Sequence, residues 1–517
     1  WSAPPPAPAT ALRGMTSTAM VPARPGAGQA LAAHGACGWG CTPGGAIDIK
    51  QWFIGIIAPD FRTDEARVRC GSLIEDGSSY IPVKRLEETT RNMRRTSTEL
   101  NTYVSMDSSD RSRCSRWFSP LQPGGVRSCT AALAATALGA GALALPYAFS
   151  LTGIGLGLLT LTFAAAVSAI SLQILMVAAR YTGTSNYAAV LELAVGSRVA
   201  SVALDMTVLL NGIGAVACIL IFEGDFCPSV IASPPGLPGW TVSRDAAVVG
   251  AALAAWPLTL PADISALRYV AVAVPFALIV TIAIVCWDAP DLHRAARASG
   301  DRIVWWDFEL GRWLKAAAIM VNAFANHMNA VPAANQLENP SIARIVKATV
   351  NTNLLVWFLL ACLGISGYVS WAGVTKGDFL LNYPEDRPEI WVCRLMLALL
   401  VYLVLPVSVL APAKSCAQLG LSLVGIKGEV GPKTHAVSAT LLLASCTGIA
   451  LRIKDVASVI GVLGGLLASS MMFWFPALIF RCLLWPTQPR YFRWPVLGAI
   501  MVLGACCWAS VAAKFFG

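Results

Sequence analysis

Charged residues are scarce in this chain of 517 residues, since Asp, Glu, Lys and Arg together make up only 13% of it. Soluble globular domains carry about 25% charged residues, so the composition argues against a soluble protein. Hydrophobic residues reach 56%, which also argues against a chain that is disordered throughout. The composition therefore predicts an all-α, polytopic membrane protein with many spanning helices.

Histidine is also scarce, with four in the chain, and the sequence contains no HExxH, P-loop or GxSxG motif. These absences argue against hydrolytic and nucleotide chemistry, so we expect no enzyme activity and no cofactor. Four residues near the N-terminus could ligate zinc, but their spacing is irregular and we expect no bound metal. They are His34, Cys37, Cys41 and Cys70.

Positive charge exceeds negative charge, and the net charge is +9. Most Arg and Lys residues lie near the N-terminus or at the ends of apolar runs, which is typical of membrane topology signals. The charge therefore predicts contact with a lipid bilayer and not with nucleic acid. Arg111, Arg113, Arg116 and Arg127 precede the first long apolar run and favour a cytosolic N-terminus.

The first quarter of the chain differs in composition from the rest. Residues 1–47 are rich in Ala, Pro and Gly, whereas residues 48–126 mix charged residues with Ser and Thr. We interpret residues 1–125 as a cytosolic and largely disordered tail. An organelle transit segment is the alternative, because the first 47 residues contain Arg13 and Arg24 but no acidic residue.

Residues 126–517 form the predicted transmembrane domain. From Ser128 to Ala179 there is no Asp, Glu, Lys, Arg or His, which predicts two spans with a Gly-rich hinge near Gly153. Nine further apolar runs bring the predicted number of spans to about eleven. These runs lie at about 199–222, 246–262, 268–287, 314–335, 348–371, 392–412, 435–451, 456–480 and 494–513.

The first span contains residues that interrupt a helix. Gly139 and Gly141 weaken it, and Pro146 cannot donate a backbone hydrogen bond. An interrupted helix is stable in a bilayer only where it is buried or lines a cavity. The half-helix after the break presents free N–H groups at its positive end, which suits a carboxylate. A kinked helix with small residues at a packing interface is the alternative.

The sixth predicted span has a second interruption. Four Asn, one Gln and one His lie between Asn322 and Gln336, where they are costly to bury without partners. Pro332 again removes a helical hydrogen bond. Spans one and six are five apart, as expected if two five-helix halves repeat and each begins with a broken helix. His327 is either a structural histidine or a proton-sensitive or gating group.

Five motifs occur in an order and spacing that resembles the amino acid/auxin permease family of secondary transporters. The resemblance covers residues 126–515 and implies a LeuT-type fold of eleven helices with a five-plus-five inverted repeat. The motifs are GAGALALPYAF at 139–149, FEGD at 222–225, AFANHMNAVP at 323–332 followed by NQLENP at 335–340, LPVSVLAPAK at 405–414, and VLGGLLASS at 462–470 followed by FPAL at 475–478.

The resemblance implies that a small amino acid or a related solute binds at mid-membrane between helices one and six. The backbone of the first break would receive its carboxylate, and carbonyl oxygens of the second break would receive its ammonium group. Asn322 and Asn326 replace aromatic and Cys residues of the family, which favours a more polar pocket. The predicted substrate-binding residues are Gly139, Ala140, Gly141, Leu143, Asn322, Phe324, Ala325 and Asn326, and the predicted coupling or gating residues are His327 and Tyr147.

The resemblance also bears on the coupling ion. Sodium-coupled members carry an Asn and a Thr at two positions that are Ala135 and Val404 here. Both oxygen donors are lost, and sodium is a hard cation that prefers oxygen. We therefore expect alternating-access transport driven by protons and not by sodium. His327 is the first candidate for the proton-sensitive group and Asp205 the second, with a structural pairing as the alternative for Asp205.

Three further expectations concern location, redox state and function. The plasma membrane and a vacuolar or lysosomal membrane are equally compatible with the sequence. Cys227 and Cys286 could form a disulfide if they face an oxidising compartment. The competing functional hypothesis is a membrane nutrient sensor or interaction protein that has the same fold but does not transport.

Overall fold

The structure is a computed structural model, and every regular element in the part that it describes is helical. The all-α class predicted from the composition is therefore confirmed. Residues 1–123 of the predicted tail, with the four zinc candidates, lie outside the described residues. The described part is residues 124–516 except for 139, 185, 233, 235–239, 262–269, 299–301, 339–340, 373–374, 377–381, 384–387, 424–429 and 455.

Fifteen α-helices occur in this part, together with short 3-10 and π-helical segments. The 3-10 turns are Ala140–Ala144, His327–Asn329 and Trp485–Thr487, and the π-helical segments are Leu463–Ala468, Ser470–Trp474 and Phe480–Leu484. The α-helices are α1 (Val126–Ala137), α2 (Leu145–Thr152), α3 (Ile154–Thr182), α4 (Tyr187–Val195), α5 (Arg198–Ala232), α6 (Arg244–Thr259), α7 (Val270–Ala298), α8 (Leu310–Asn322), α9 (Ala330–Gln336), α10 (Ile342–Trp371), α11 (Pro388–Leu423), α12 (Pro432–Arg452), α13 (Val456–Val462), α14 (Phe475–Ile479) and α15 (Arg490–Phe516).

Eight helices among the described residues are long and apolar enough to cross a membrane. α1 and the helical residues up to Thr152 make a ninth span if they are counted as one span across their 58° bend. The predicted spans four and six coincide with shorter helices: α6 has 16 residues, α8 has 13 and α9 has 7. The chain is therefore a multi-pass membrane protein, and the number eleven stays a prediction.

The corner between α2 and α3 lies at Gly153, where the sequence predicts a hinge. Gly153 has φ 79° and ψ 171°, a conformation that is essentially restricted to glycine. The corner is bonded to the segment before α8, since the N–H groups of Ile154 and Gly155 donate to the carbonyls of Val304 (3.1 Å) and Trp305 (2.8 Å). These bonds satisfy N–H groups of the first turn of α3, which have no acceptor within the helix.

The two longest described helices, α5 and α11, pack against each other in antiparallel register. Near one end, Nε1 of Trp391 donates to the carbonyl of Val230 at 2.9 Å. Near the other end, Oγ of Ser415 donates to the carboxylate of Asp205 at 3.1 Å. The second bond supports the structural alternative for Asp205, because the carboxylate holds two helices together.

A buried ion pair joins three helices near the C-terminal end of α5. Nε of Arg244 donates to Oδ1 of Asp225 at 3.1 Å, and Nη1 of Arg244 donates to the carbonyl of Ala450 at 3.3 Å. The pair therefore links α5 to α6 and α12. Since both side chains are less than one fifth exposed, water and salt weaken their attraction less than that of a surface ion pair.

The disulfide expected as one alternative between Cys227 and Cys286 is wrong, because both cysteines are free. Cys227 lies inside α5, and its thiol donates to the carboxylate of Glu223 on the same helix at 3.0 Å. Cys286 is exposed on α7. The thiol of Cys227 is thus turned into the helix bundle and not toward a partner cysteine.

We expect Gly153→Ala to destabilise the protein. The backbone conformation alone costs a residue with a side chain about 1–3 kcal/mol, and an added Cβ would lie 2.7 Å from the carbonyl oxygen of Val304. Gly183→Ala is the matched control, because Gly183 also has a positive φ (64°) but nothing lies within 4 Å of an added Cβ. Thermal unfolding in detergent should show the larger loss for Gly153→Ala, and equal losses would contradict the contact.

Candidate functional site

The first predicted span is broken where the sequence indicates. α1 ends at Ala137, a 3-10 turn occupies Ala140–Ala144, and α2 begins at Leu145. Pro146 lies in the first turn of α2, where the lack of an N–H is tolerated because that turn has no intrahelical acceptor. The predicted interruption of this span is confirmed.

The sixth predicted span is also broken. α8 ends at Asn322, and α9 begins only at Ala330. Between them the N–H of Ala325 donates to the carbonyl of Asn322 at 3.1 Å, a bond shorter in sequence than an α-helical one. A 3-10 turn then covers His327–Asn329. The prediction that this span unwinds near residues 324–327 is therefore confirmed.

The two breaks lie against each other. A Cβ atom added at Gly141 would lie 3.1 Å from Nδ2 of Asn322 and 3.2 Å from Cα of Ala323. Asn322 also touches the π-helical segment of residues 463–468, since a Cβ added at Gly464 would lie 2.7 Å from the Cβ of Asn322. Asn322 therefore lies where the first break, the second break and this segment converge.

Two buried polar side chains occupy the second break. Nδ2 of Asn326 donates to the carbonyl of Leu133 in α1 at 3.5 Å, while its Oδ1 has no partner among the described residues. His327 is 1% exposed and lies against the backbone of Ser168 in α3, where neither ring nitrogen makes a well-formed hydrogen bond. Buried polar atoms without partners are rare in proteins and often mark a place for water or ligand.

Tyr147 connects the two broken spans at a second point. Nζ of Lys315, in α8, donates to the hydroxyl of Tyr147, in α2, at 2.8 Å. The same ammonium group lies 5.0 Å from the centre of the Tyr147 ring, close enough for a cation–π interaction. A break in this contact would let the two half-helices separate, which is the geometry that a gating residue needs.

The predicted site residues divide into three groups. Gly139 lies outside the described residues. Leu143 and Phe324 are 2% and 0% exposed, so their side chains belong to the core and only their backbone can contribute to a site. The remaining predicted binding residues belong to the two breaks, and they are Ala140, Gly141, Asn322, Ala325 and Asn326.

Several buried polar residues were given no role in the sequence analysis. Ser168 and Gln173 of α3 and Glu223 of α5 are 0–2% exposed and each has a side-chain atom without a partner among the described residues. Gln173 could have been found, because a polar amide within a run free of charged residues suggests a functional site. Glu223 was quoted only as part of the FEGD motif, because the predicted third span ended at residue 222, whereas α5 continues to Ala232.

The two positions that argue against sodium lie on neighbouring helices. Ala135 of α1 and Val404 of α11 are 7% and 6% exposed, and α1 packs against α11. Neither side chain carries an oxygen. The contact between these helices therefore lacks the two side-chain donors that a hard cation would use there.

Comparison with known proteins gives a family match over the whole described region. The family model described as transmembrane amino acid transporter protein matches residues 122–516. These residues include both helix breaks and all fifteen α-helices.

Three relatives carry related names. A Toxoplasma gondii protein named as an amino acid transporter is 31% identical over 309 residues, which are 60% of this chain and 42% of that protein. A Mus musculus protein named as a sodium-coupled neutral amino acid transporter is 25% identical over 406 residues, or 76% and 85% of the two chains. A vacuolar amino acid transporter of Saccharomyces cerevisiae is 27% identical over 272 residues, or 51% and 53%. The chain matches half or less of the length of the Toxoplasma and Plasmodium relatives.

We expect Gly464→Ala to destabilise the junction of the breaks. An added Cβ would overlap the carbonyl oxygen of Ala318 and approach Asn322, and both atoms belong to α8. Overpacking of this kind costs about 1–3 kcal/mol. Gly461→Ala, in α13 directly before the π-helical segment, is the control, since nothing lies within 4 Å of its added Cβ. A lower melting temperature for Gly464→Ala alone is expected, and identical melting of both variants would argue against the close approach.

Proposed function

Because the chain belongs to the family of transmembrane amino acid transporter proteins, whose match covers residues 122–516, we propose that it is a secondary active transporter of amino acids or closely related small solutes. In this proposal the eleven predicted spans form a five-plus-five inverted repeat. Alternating access moves the substrate past a site between helices one and six. Membership of a transporter family argues against an enzyme.

The observation that carries the proposal is the contact between the two breaks at Gly141 and Asn322. Broken helices that meet inside a bundle offer main-chain groups to a ligand without exposing them to lipid. The start of α2 would present N–H groups and a positive dipole end to a substrate carboxylate. Carbonyl oxygens near Ala325 and Asn326 would accept from the ammonium group, and the side chain of Asn322 would contact the polar part of the substrate.

We assign the driving force to protons. The absence of oxygen donors at Ala135 and Val404 supports this assignment. One elementary charge that crosses a potential of 100 mV gains about 2.3 kcal/mol, so a single coupled proton is sufficient for substantial accumulation. The mouse relative is named as sodium-coupled, so sodium is the competing driving ion.

His327 and Tyr147 act as gating residues in this proposal. His327 fills the second break between α8 and α9 and is buried against α3. Tyr147 is held by Lys315 across the gap between α2 and α8. Movement of either half-helix changes both contacts, so these residues would respond to opening and closing of the site.

The host membrane is a plasma membrane or a vacuolar or lysosomal membrane in this proposal, with the N-terminus in the cytosol. The name of the yeast relative supports the vacuolar alternative. Both membranes maintain pH differences that a proton-driven transporter could use.

Uptake of a labelled amino-acid mixture into proteoliposomes tests the proposal. A pH difference of about one unit should support about tenfold accumulation for one coupled proton, since one unit corresponds to 1.36 kcal/mol. A sodium gradient imposed alone should give none. Accumulation driven by sodium would contradict the ion assignment, and folded protein that neither accumulates nor exchanges any amino acid would favour the sensor hypothesis.

A second measurement tests the gating role of His327. We expect His327→Gln to slow uptake by about tenfold or more, a barrier change of about 1.4 kcal/mol, because the imidazole fills the second break. The pH gradient should still drive whatever uptake remains. His435→Gln is the control, since His435 is also buried but lies in α12, outside both breaks. Normal uptake by His327→Gln would leave the structural alternative for this histidine.

A further inference from the structure

Glu223 is a buried carboxylate in α5 that the proposed site does not use. The residue is 2% exposed, its Oε2 accepts a hydrogen bond from the thiol of Cys227 at 3.0 Å, and its Oε1 has no partner among the described residues. A thiol is a weak donor. An ionised carboxylate would therefore be left with very little support in a place where charge is costly.

The basic groups near this end of α5 are engaged with other residues. Arg244 bonds to Asp225 and to the carbonyl of Ala450, and Lys454 faces Asp225. Nη2 of the buried Arg394 in α11 donates to the carbonyl of Tyr383 at 3.0 Å. Within the described ranges, no basic side chain lies within 4 Å of the carboxylate of Glu223. Glu223 is thus unlike Asp225, two residues away, which has a cation beside it.

Titratable groups are unevenly distributed among the elements packed against α5. The 3-10 turn of residues 140–144 and the helical residues 456–474 contain none. Tyr402 of α11 interacts electrostatically with Glu223, and the antiparallel register of the two helices places it about one helical turn from the level of Glu223. The titratable and charged groups on the packed elements are Tyr187 and Glu192 on α4, Arg244 and Asp245 on α6, Glu389, Cys393, Arg394, Tyr402, Lys414 and Cys416 on α11, and Lys433, His435, Cys446 and Arg452 on α12, with Lys454 just after it.

Two prolines supply main-chain acceptors near Glu223. Pro228 cannot donate to the carbonyl of Gly224 in α5, and Pro406 cannot donate to the carbonyl of Tyr402 in α11. Both carbonyls therefore lack their normal intrahelical donor. A protonated carboxyl group can donate its O–H to an acceptor of this kind, whereas a carboxylate cannot. The two helices that enclose Glu223 thus each carry a carbonyl without its helical donor.

We propose that Glu223 is a proton-binding site of this transporter and not only a packing residue. It holds a proton while it is enclosed by α5 and α11, and it releases that proton when a rearrangement admits water. In the release step the carboxyl O–H bond breaks, the proton passes to a water molecule, and the carboxylate remains. The inference rests on the proposed function, because only a proton-driven cycle needs such a site.

The contacts of α5 provide a route from this site to the substrate. α5 packs directly against the 3-10 turn Ala140–Ala144 of the first break and against the π-helical segment Leu463–Ala468. A Cβ added at Gly214 of α5 would press on the side chain of Leu463, so the two elements touch without a gap. Through these contacts, movement at the first break would be transmitted to α5, which carries Glu223.

The first experiment compares Glu223→Gln with the wild-type protein in proteoliposomes. Glu223→Gln keeps the shape but cannot release a proton. We expect it to lose the roughly tenfold accumulation that a pH difference of about one unit drives, while it retains exchange of labelled for unlabelled amino acid. Asp245→Asn is the control, because Asp245 of α6 is 71% exposed and has no part in the proposed sites, and it should keep pH-driven accumulation. Glu223→Asp, which can still titrate, should recover part of it.

Accumulation by Glu223→Gln equal to that of the wild type would overturn the assignment of the proton to Glu223. If the wild-type protein is not driven by pH at all, the proton coupling of the proposed function fails, and a second measurement then decides on Glu223 itself. A hydrophobic carbodiimide reacts with protonated carboxyl groups in membranes and can be located by peptide mass spectrometry. We expect an adduct at Glu223 of the purified full chain and none at Asp225, which is paired with Arg244. No adduct at Glu223, or equal labelling of both acids, would exclude a stored proton.

Discussion

Backbone polar groups inside a bilayer must find their partners within the protein, and the rest of this structure depends on that constraint. Long helices satisfy it by their own hydrogen bonds. The two breaks, at residues 138–144 and 323–329, do not, so they must be enclosed. They lie against each other at Gly141 and Asn322, and α5 and α10 also contact the first break. The helices of the bundle therefore enclose two short stretches of irregular backbone.

Enclosure of the breaks has a free-energy cost, because polar side chains are buried beside them. Asn326, His327 and Gln173 each have an atom without a partner among the described residues. Such groups destabilise a folded protein unless water or a ligand satisfies them. They lie on the elements that form the second break or on α3, which packs against α9. A protein that only had to be stable would place apolar residues there.

Local features of this fold could be predicted from the sequence, and features that depend on packing could not. The corner at Gly153 and both breaks follow from glycine, proline and polar residues within apolar runs. The contact between Cys227 and Glu223 was missed, because an apolar run does not reveal that a helix continues past a carboxylate. The complete burial of the Phe324 side chain, which leaves only its backbone to contribute to a site, depends on its neighbours in space. The lengths of α6, α8 and α9 likewise depend on where neighbouring helices allow the chain to turn.

The segment just before α8 has a mechanical consequence. The N–H of Val304 donates to the hydroxyl of Tyr368 in α10 at 3.0 Å, and the N–H of Asp307 donates to the carbonyl of Thr152 at 2.9 Å. Together with the bonds to Ile154 and Gly155, these contacts fasten the entrance of α8 to the corner between α2 and α3. The end of α2 and the entrance of α8 are therefore fastened together at this corner, so any separation of the two half-helices must widen from the corner toward the breaks.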